Sequence, residues 1–427
     1  MSIKDVAGQT KPSTYDAIVI GGGPAGSTAS AVLAAKGRRV ILLEKDKFPR
    51  YHIGESLIPF CYFPLQRLGL IEKMKASHFT KKYSIQFVSS TGRQSHPFYF
   101  FEHMQHECSN TWQVWRGEFD KMLLDNAREK GVEVREETLV KDVLRENGAV
   151  TGVIAAGKDG VTQEFRAPIT IDASGRDAFL QSRTGWKVRD QALNKIAVWT
   201  YYQGAQRDPG IDEGSTTVAY LPEKGWFWYI PLPGDTVSVG VVAEKEYLYR
   251  DTHELEAIFQ RAVQQNTWIK EHLAVGQQTG PYRVTGEYSY RSRYCASDGL
   301  VLAGDAFAFL DPVFSSGVFL ALRSGEMAGD AVDAALTAGD VSASQFTAYG
   351  EELCRGIEAM RRLVYAFYDH EFSFRRFLTK YPHLRGDVTD TLIGNLLKDF
   401  EPLNKGMAEF ARIPDPLAHG RPFVEAR

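Results

Sequence analysis

Residues 15–45, YDAIVIGGGPAGSTASAVLAAKGRRVILLEK, constrain this chain more than any other stretch. Residues 15–20 form a short apolar run with β-branched side chains, the pattern of a strand buried in a parallel sheet. Gly21, Gly23 and Gly26 follow as GxGxxG, and residues 25–36 are mostly small and read as a helix. Residues 39–43 are a second apolar run that closes with Glu44. Each glycine meets a separate demand: Gly21 the tight turn, Gly23 the approach of a pyrophosphate to the backbone, Gly26 the packing of helix on strand. The helix start offers free N–H groups and a positive dipole end to phosphate, and Glu44 can accept a hydrogen bond from a ribose hydroxyl. A lone GxGxxG is weak. Strand, glycines, helix, strand and acid in that order specify a Rossmann-type dinucleotide unit, which at this point suits NAD or FAD.

Two later segments favour FAD. TIDASGRDAFL, residues 170–180, is an apolar strand ending in Asp172, then a small-residue turn with Gly175 and Arg176. GLVLAGDAFAFLDPVFSSGVFLAL, residues 299–322, is a buried strand, Gly304-Asp305, a loop, and a helix opening near Ser316-Gly317. Asp305 at the carboxyl end of a strand can accept bonds from a ribityl chain, or simply cap the next helix. N–H groups at Gly317 and Val318 can stabilise negative charge on a reduced flavin ring.

The whole chain has 427 residues, enough for two domains or one large α/β unit, and its 44% hydrophobic content supports a substantial core. A net charge of -3 without long single-sign runs argues against nucleic acid or an anionic membrane as the main partner. Apolar runs are too short to span a bilayer. Residues 1–14 read as a disordered or extended leader without a signal-peptide core. Cys61, Cys108, Cys295 and Cys354 form no CxxC pair, which points to a reduced, cytoplasmic protein.

GWFWYIPL, residues 225–232, sets Trp226 and Trp228 on one face of a strand that the Ile-Pro step would close. TKKYSIQF, residues 80–87, alternates so that Lys82 shares a face with Ser84 and Gln86, opposite Lys81; one lysine should face inward. Burial would lower that lysine's pKa and make it a hydrogen-bond donor or nucleophile. Residues 198–221 and 235–244 read as antiparallel strands of a second sheet. Ile357, Met360, Val364, Phe367, Glu371 and Phe374 recur at helical spacing and predict one amphipathic helix. It packs on the main unit, with Phe367, Tyr368 and Phe374 as candidates for an aromatic pocket. His103 and His106 lack a third ligand and read as surface or loop residues, not a metal site.

On these motifs the sequence resembles the flavin-dependent halogenases, within the wider FAD monooxygenase and geranylgeranyl reductase superfamily. Gly21–Gly26, DASGR at 172–176 and Gly304-Asp305 match the superfamily; FPRYHIGESLIP at 48–59 matches the halogenase and reductase branches; GWFWYIP and TKKYSIQF narrow it to halogenases. The resemblance implies an α/β fold: a Rossmann-type FAD-binding domain, residues 15–345, with an inserted antiparallel substrate sheet from about 80–110 and 195–290, and a helical C-terminal region, 346–427. It implies FAD contacts from Gly21, Gly23, Pro24, Ala25, Gly26, Glu44, Lys45, Arg50, Ser56, Arg116, Asp172, Gly175, Asp305, Gly317 and Val318, and a halide site at Ser315, Ser316 and Gly317.

The implied chemistry forms hypohalous acid from reduced FAD, oxygen and chloride or bromide, with a separate flavin reductase supplying the reduced FAD. A lysine then presents the halogen to an electron-rich ring. Alignment on Phe87 selects Lys82, with Lys81 the rival. Trp226 and Trp228 would wall the flavin off from organic substrate while admitting a halide; the plainer account is a core strand. Tryptophan halogenases carry a glutamate-serine pair where this chain has Phe314-Ser315, which favours phenols, pyrroles or carrier-tethered aromatics over free tryptophan. The rival functions are a monooxygenase or geranylgeranyl-reductase-like oxidoreductase, which would act without halide, and a non-catalytic flavin-binding protein.

Overall fold

The structure is a computed structural model describing residues 15–424 except 224, 287, 288 and 397; the expected leader at 1–14 lies outside the described residues. The dinucleotide stretch folds as its pattern predicts. Ala17–Ile20 forms the middle of a six-stranded sheet in the order Ala296–Ser297, Leu300–Leu302, Ile169–Asp172, Ala17–Ile20, Val40–Leu43, Glu133–Arg135. All neighbours are parallel except the first pair, so the strand ends that carry Gly21, Glu44, Ala173 and Ala303 open on one edge. Helix Pro24–Ala35 packs against the sheet through Gly26, where an added Cβ would lie 1.9 Å from the Gly21 carbonyl oxygen. It packs against helix Gly317–Ala338 through Gly325, where a Cβ would lie 2.3 Å from the Ala25 carbonyl oxygen.

The second sheet has seven strands in the order Gln277–Thr285, Lys195–Gln203, Thr236–Glu244, Trp226–Leu232, Thr216–Tyr220, Ser84–Val88, Phe98–Tyr99. It is antiparallel except where Ser84–Val88 joins Thr216–Tyr220 in parallel. The segment 198–221 is two strands rather than one, with the short 3₁₀ turn Gly210–Gly214 between them. Trp226, Trp228 and Ile230 face the main core, whereas Phe227 and Tyr229 face a second apolar cluster roofed by helices Leu255–Val263 and Thr267–Ala274. Both faces are buried, so the strand reads as a continuous apolar run. Pro231 does not end the strand, since Pro231 and Leu232 still pair with Val237 and Thr236. Its missing N–H is tolerated because the pairing with Thr216–Tyr220 stops at Tyr229.

The predicted single C-terminal helix is two. Thr347–Tyr368 stops at Tyr368, and Phe374 opens the next helix, Phe374–Lys380. Asp369 sits in the break; its carboxylate accepts the Glu371 N–H and its carbonyl the Phe372 N–H, a local turn that competes with the helix. Short helices Arg385–Ile393 and Glu401–Met407 follow, and from 408 onward the described residues form no helix. No helix among the described residues is long and apolar enough to cross a membrane.

Replacing Gly325 with valine forces the two long helices apart against backbone rather than a movable side chain. Denaturant unfolding should show a loss of about 1–3 kcal/mol.

Candidate active site

Between the open edge of the parallel sheet and the inner face of the second sheet lies a cavity of about 310 Å³. Its walls come from the glycine turn (Gly21, Gly23, Pro24, Ala25), the strand end at Glu44 and Lys45, the loop from Arg50 to Ser56, Arg116, the turn from Ala173 to Asp177, Asp305, and the loop and helix start around Ser315, Gly317 and Val318. The second sheet adds Thr216, Val218, Trp226, Trp228 and Ile230. Three expected contacts do not line it. Gly26 is consumed by packing on Gly21. Asp172 is buried under the turn and accepts the N–H groups of Ser174 and Leu180. Ser316 is buried beside the cavity, with its hydroxyl lacking a hydrogen-bond partner among the described residues.

The donor set fits FAD. Gly21 has φ +98°, the left-handed turn glycine permits, and a Cβ on Gly23 would meet only the Arg50 guanidinium at 3.6 Å, which leaves space above the helix start. Both Glu44 oxygens already accept backbone N–H groups, from Gly22 at 2.6 Å and Asp46 at 2.8 Å, which fixes the carboxylate on the cavity wall. Arg116 is held by Asp120 and by the carbonyls of Ile53 and Gly54, and Arg50 shares Asp120. Lys45 pairs with Asp177 across the cavity. Asp305 faces the cavity and makes no side-chain hydrogen bond among the described residues; burial raises its pKa to about 6, with Arg176 and Arg116 opposing. At the expected halide loop Ser315 adopts φ +57° and its N–H is already bonded to the Pro312 carbonyl. The open donors there are those of the first turn of helix Gly317–Ala338.

The two lysines separate as alternation requires. Lys81 is exposed, and Lys82 is 1% exposed. Lys82 Nζ donates to Ser56 Oγ at 2.9 Å and to the Leu57 carbonyl at 3.0 Å. Ser56 lines the cavity and also bonds Thr216 Oγ1 at 2.8 Å, so the amine stands one hydrogen bond behind the wall. Burial lowers its pKa to about 7.

The tryptophans form the opposite wall. Their rings lie 6.3 Å apart, and Trp228 lies across Gly240, where an added Cβ would be 2.3 Å from the indole. Trp228 Nε1 donates to Ser238 Oγ at 3.1 Å. Trp226 Nε1 donates to Tyr368 Oη at 2.8 Å, and Tyr368 donates to Asp311 Oδ2 at 2.8 Å. Asp311 also accepts the Val313 N–H and so ties the Ser315 loop to the indole wall; burial raises its pKa to about 6. Phe367 and Phe374 do not line the cavity. Phe367 stacks on Tyr220 and meets Trp226 edge-on, and Phe374 packs on Phe87, Phe98 and Phe314. Trp226 therefore touches both the cavity and an aromatic cluster behind it. His103 bonds Asp390 and the His106 ring accepts the Cys108 N–H, which occupies both in structural contacts.

Sequence reading missed Glu55, a wall residue that is 1% exposed and hydrogen-bonded to Tyr201. Its signal was available: an acid set between Gly54 and the apolar run Leu57-Ile58-Pro59. Tyr201 was hidden within a long aromatic strand.

Gly23→Trp fills the space above the helix start without meeting backbone. The variant should keep its melting temperature and lose FAD, as read by flavin absorbance after reconstitution.

Comparison with known proteins agrees with this geometry. The tryptophan halogenase family model matches residues 16–116 and 101–374. A 1H-pyrrole-2-carbonyl-(peptidyl-carrier protein) brominase of Pseudoalteromonas luteoviolacea is 33% identical over 384 residues, 89% of this chain and 92% of its own. The corresponding chlorinase of Pseudomonas fluorescens is 31% identical over 429 residues, 95% of each chain. A tryptophan 2-halogenase of Chondromyces crocatus is 36% identical over 358 residues, 81% of this chain and 66% of its own. The structure of the flavin-dependent brominase Bmp2 superposes with a TM-score of 0.84 at 30% identity, covering 93% of this chain and 97% of that one. The chain belongs to the tryptophan halogenase family and is a flavin-dependent halogenase.

Proposed function

We propose that this enzyme halogenates an electron-rich aromatic ring, of the pyrrole class and carried on a carrier protein, through hypohalous acid handed on by Lys82. The observation that carries the delivery step is the buried Lys82 amine, one hydrogen bond from the cavity through Ser56. The substrate class is supported by two relatives that align along almost their whole length and are named for a pyrrolyl carrier-protein substrate. The tryptophan 2-halogenase is longer than the region this chain covers. The same two relatives use bromide and chloride by name, and either halide suits the small donor site here.

Bound FAD, once reduced, supplies the two electrons that activate oxygen; a separate flavin reductase is the source of those electrons in this reading. Gly21, Gly23, Pro24 and Ala25 would cradle the pyrophosphate, Glu44 the ribose, Arg50, Arg116 and Lys45 the charged edge, and Asp305 the ribityl chain. The unpaired N–H groups at the start of helix Gly317–Ala338 would hold the halide, with Ser315 and the partnerless Ser316 hydroxyl beside them. Trp226 and Trp228 would exclude the organic substrate and water from that space while an ion passes. Lys82, neutral above about pH 7, would accept the electrophilic halogen and present it to the ring. In this division residues 15–345 form the FAD unit with its substrate sheet and 346–427 brace it. The four free cysteines suit a cytoplasmic enzyme.

Lys82→Met keeps the buried volume and removes the amine. With bromide and a pyrrole-2-carbonyl carrier protein, it should lose brominated product while reoxidising reduced FAD at the wild-type rate. Lys81→Met should change neither. In the wild type, product formed per flavin oxidised should rise as pH passes upward through about 7, because the free amine is the nucleophilic form.

The Trp226→Ala, Trp228→Ala pair should cost about 3–5 kcal/mol per buried tryptophan. In the folded, flavin-retaining fraction it should release peroxide in place of halogenated product. Wild-type halogenation by that pair reduces the tryptophans to core residues. Turnover without any halide would instead identify a monooxygenase or reductase.

A further inference from the structure

Glu55 stands at the end of a hydrogen-bond chain that the reading above does not use. Trp199 Nε1 donates to Tyr51 Oη at 2.8 Å, the Tyr51 and Tyr201 hydroxyls lie 2.9 Å apart, and Tyr201 donates to Glu55 Oε1 at 2.6 Å. Each phenol has one proton. Because Tyr201 gives its proton to Glu55, Tyr51 must donate to Tyr201, and every donor in the chain points inward. Tyr51 is 46% exposed and Glu55 1%, so Tyr51 is the accessible end of the chain, although both residues line the cavity. Glu55 lines the cavity; its Oε2 is shielded from solvent and has no partner within hydrogen-bond distance among the described residues, and the Ser238 hydroxyl acts on the carboxylate from farther off. Such an oxygen is costly as an anion, but it can hold a proton that Oε1, already an acceptor, does not need.

The chemistry of the site calls for that proton. Converting neutral reduced FAD, oxygen and halide to FAD, hypohalous acid and water moves two electrons from the flavin to oxygen. One oxygen atom goes to the halogen and the other to water, and one proton is taken up. If the indole wall keeps water from the reacting end of the cavity, as proposed above, it also closes the obvious route for that proton there. We propose that Glu55 is the proton donor of the flavin cavity, reloaded from solvent through Tyr201 and Tyr51. Oε2 releases its proton into the cavity, Oε1 takes the Tyr201 proton, Tyr201 takes that of Tyr51, and Tyr51 is refilled from water; rotation of the carboxyl group and of the two phenol hydroxyls then returns a proton to the cavity side and resets the chain. This rests on the oxidative halogenase reading.

The surroundings are mixed in sign. Burial dominates and raises the Glu55 pKa to about 7. The Tyr201 hydroxyl, the Ser238 hydroxyl and the Arg116 guanidinium all favour the carboxylate. Further out, Arg283 lies over the Tyr51 ring at 3.8 Å, and neighbouring His52 is held neutral by burial and by Arg116 and Arg50, against Asp120. Glu55 is therefore protonated on the acid side of neutrality and loses its proton as pH rises through about 7.

Infrared spectra and flavin kinetics, over a single turnover and over successive ones, test the relay. The wild type should show a carboxylic-acid carbonyl band that shifts in deuterated water and fades as pH rises through about 7. Glu55→Gln should lack it and Tyr201→Phe should keep it. With bromide present, reoxidation of bound reduced FAD by oxygen should slow in the wild type by roughly tenfold per pH unit on the alkaline side. Glu55→Gln should be slow and insensitive to pH while binding FAD normally, and Tyr201→Phe should slow only after the first turnover. Absence of the band overturns the relay by itself, whatever the flavin does. A bromide-dependent phase untouched in rate and pH profile by Glu55→Gln also overturns the relay while leaving the halogenase reading intact, and so, if that variant does not fold, do second and later turnovers of Tyr201→Phe that run as fast as the first. Flavin reoxidation with no bromide-dependent phase and no brominated product overturns the halogenase reading instead.

Discussion

Backbone contact between helices Pro24–Ala35 and Gly317–Ala338 holds the site together. Gly325 brings the second helix against the Ala25 carbonyl, and Gly329 brings it against Val32. Any side chain at Gly325 would meet backbone, so the approach depends on the missing Cβ. The consequence is electrostatic as well as steric. Two helix starts from segments far apart in sequence open on one cavity, one beside Gly23 and the other beside Ser315 and Gly317. Their uncompensated N–H groups give a single chamber two anion-binding ends.

The second sheet supplies what the first lacks, a wall that is apolar yet anchored by polar contacts. Trp226 and Trp228 each spend their one N–H on a buried hydroxyl, Tyr368 and Ser238. An indole whose donor is satisfied stays put at no desolvation penalty. Tyr368 belongs to the C-terminal helix and passes its own proton to Asp311, so the helix, the wall and the Ser315 loop are one hydrogen-bonded unit. The C-terminal region thereby braces the wall through Tyr368.

Burial governs the perturbed ionisable groups at and behind these walls. Lys82 is pushed down to about 7 while Glu55 is pushed up to about 7. An amine and a carboxyl that are both near neutrality at working pH can exchange protons cheaply with what they face. Lys82 stands behind the wall and reaches it through Ser56, the residue that follows Glu55 in the chain.

How much of this was legible in the chain follows from the range of the forces involved. GxGxxG, the flanking apolar runs and Glu44 are local, and the strand–helix–strand unit they predict is the one that forms. The choice of Lys82 came from the resemblance aligned on Phe87, while that Lys81 and Lys82 face opposite ways followed from a period of two, a property of any extended backbone. The shared face of Trp226 and Trp228 followed in the same way. Other features depended on partners the chain does not name. The helix break after Tyr368 is a turn made by Asp369, which helical periodicity overran. Asp172 and Gly26 match the family pattern, but folding spends one on a turn and the other on packing. Glu55, Tyr51 and Tyr201 become a chain only when the loop at 50–56 is laid against strand Lys195–Gln203. Sequence alone determined the dinucleotide unit and that Lys81 and Lys82 face opposite ways, because both rest on neighbours a few residues away. Tertiary structure decided the wall, its anchor at Tyr368 and the buried acid, because the Trp226–Tyr368 and Tyr201–Glu55 hydrogen bonds join residues more than a hundred positions apart and exist only after the sheets have met.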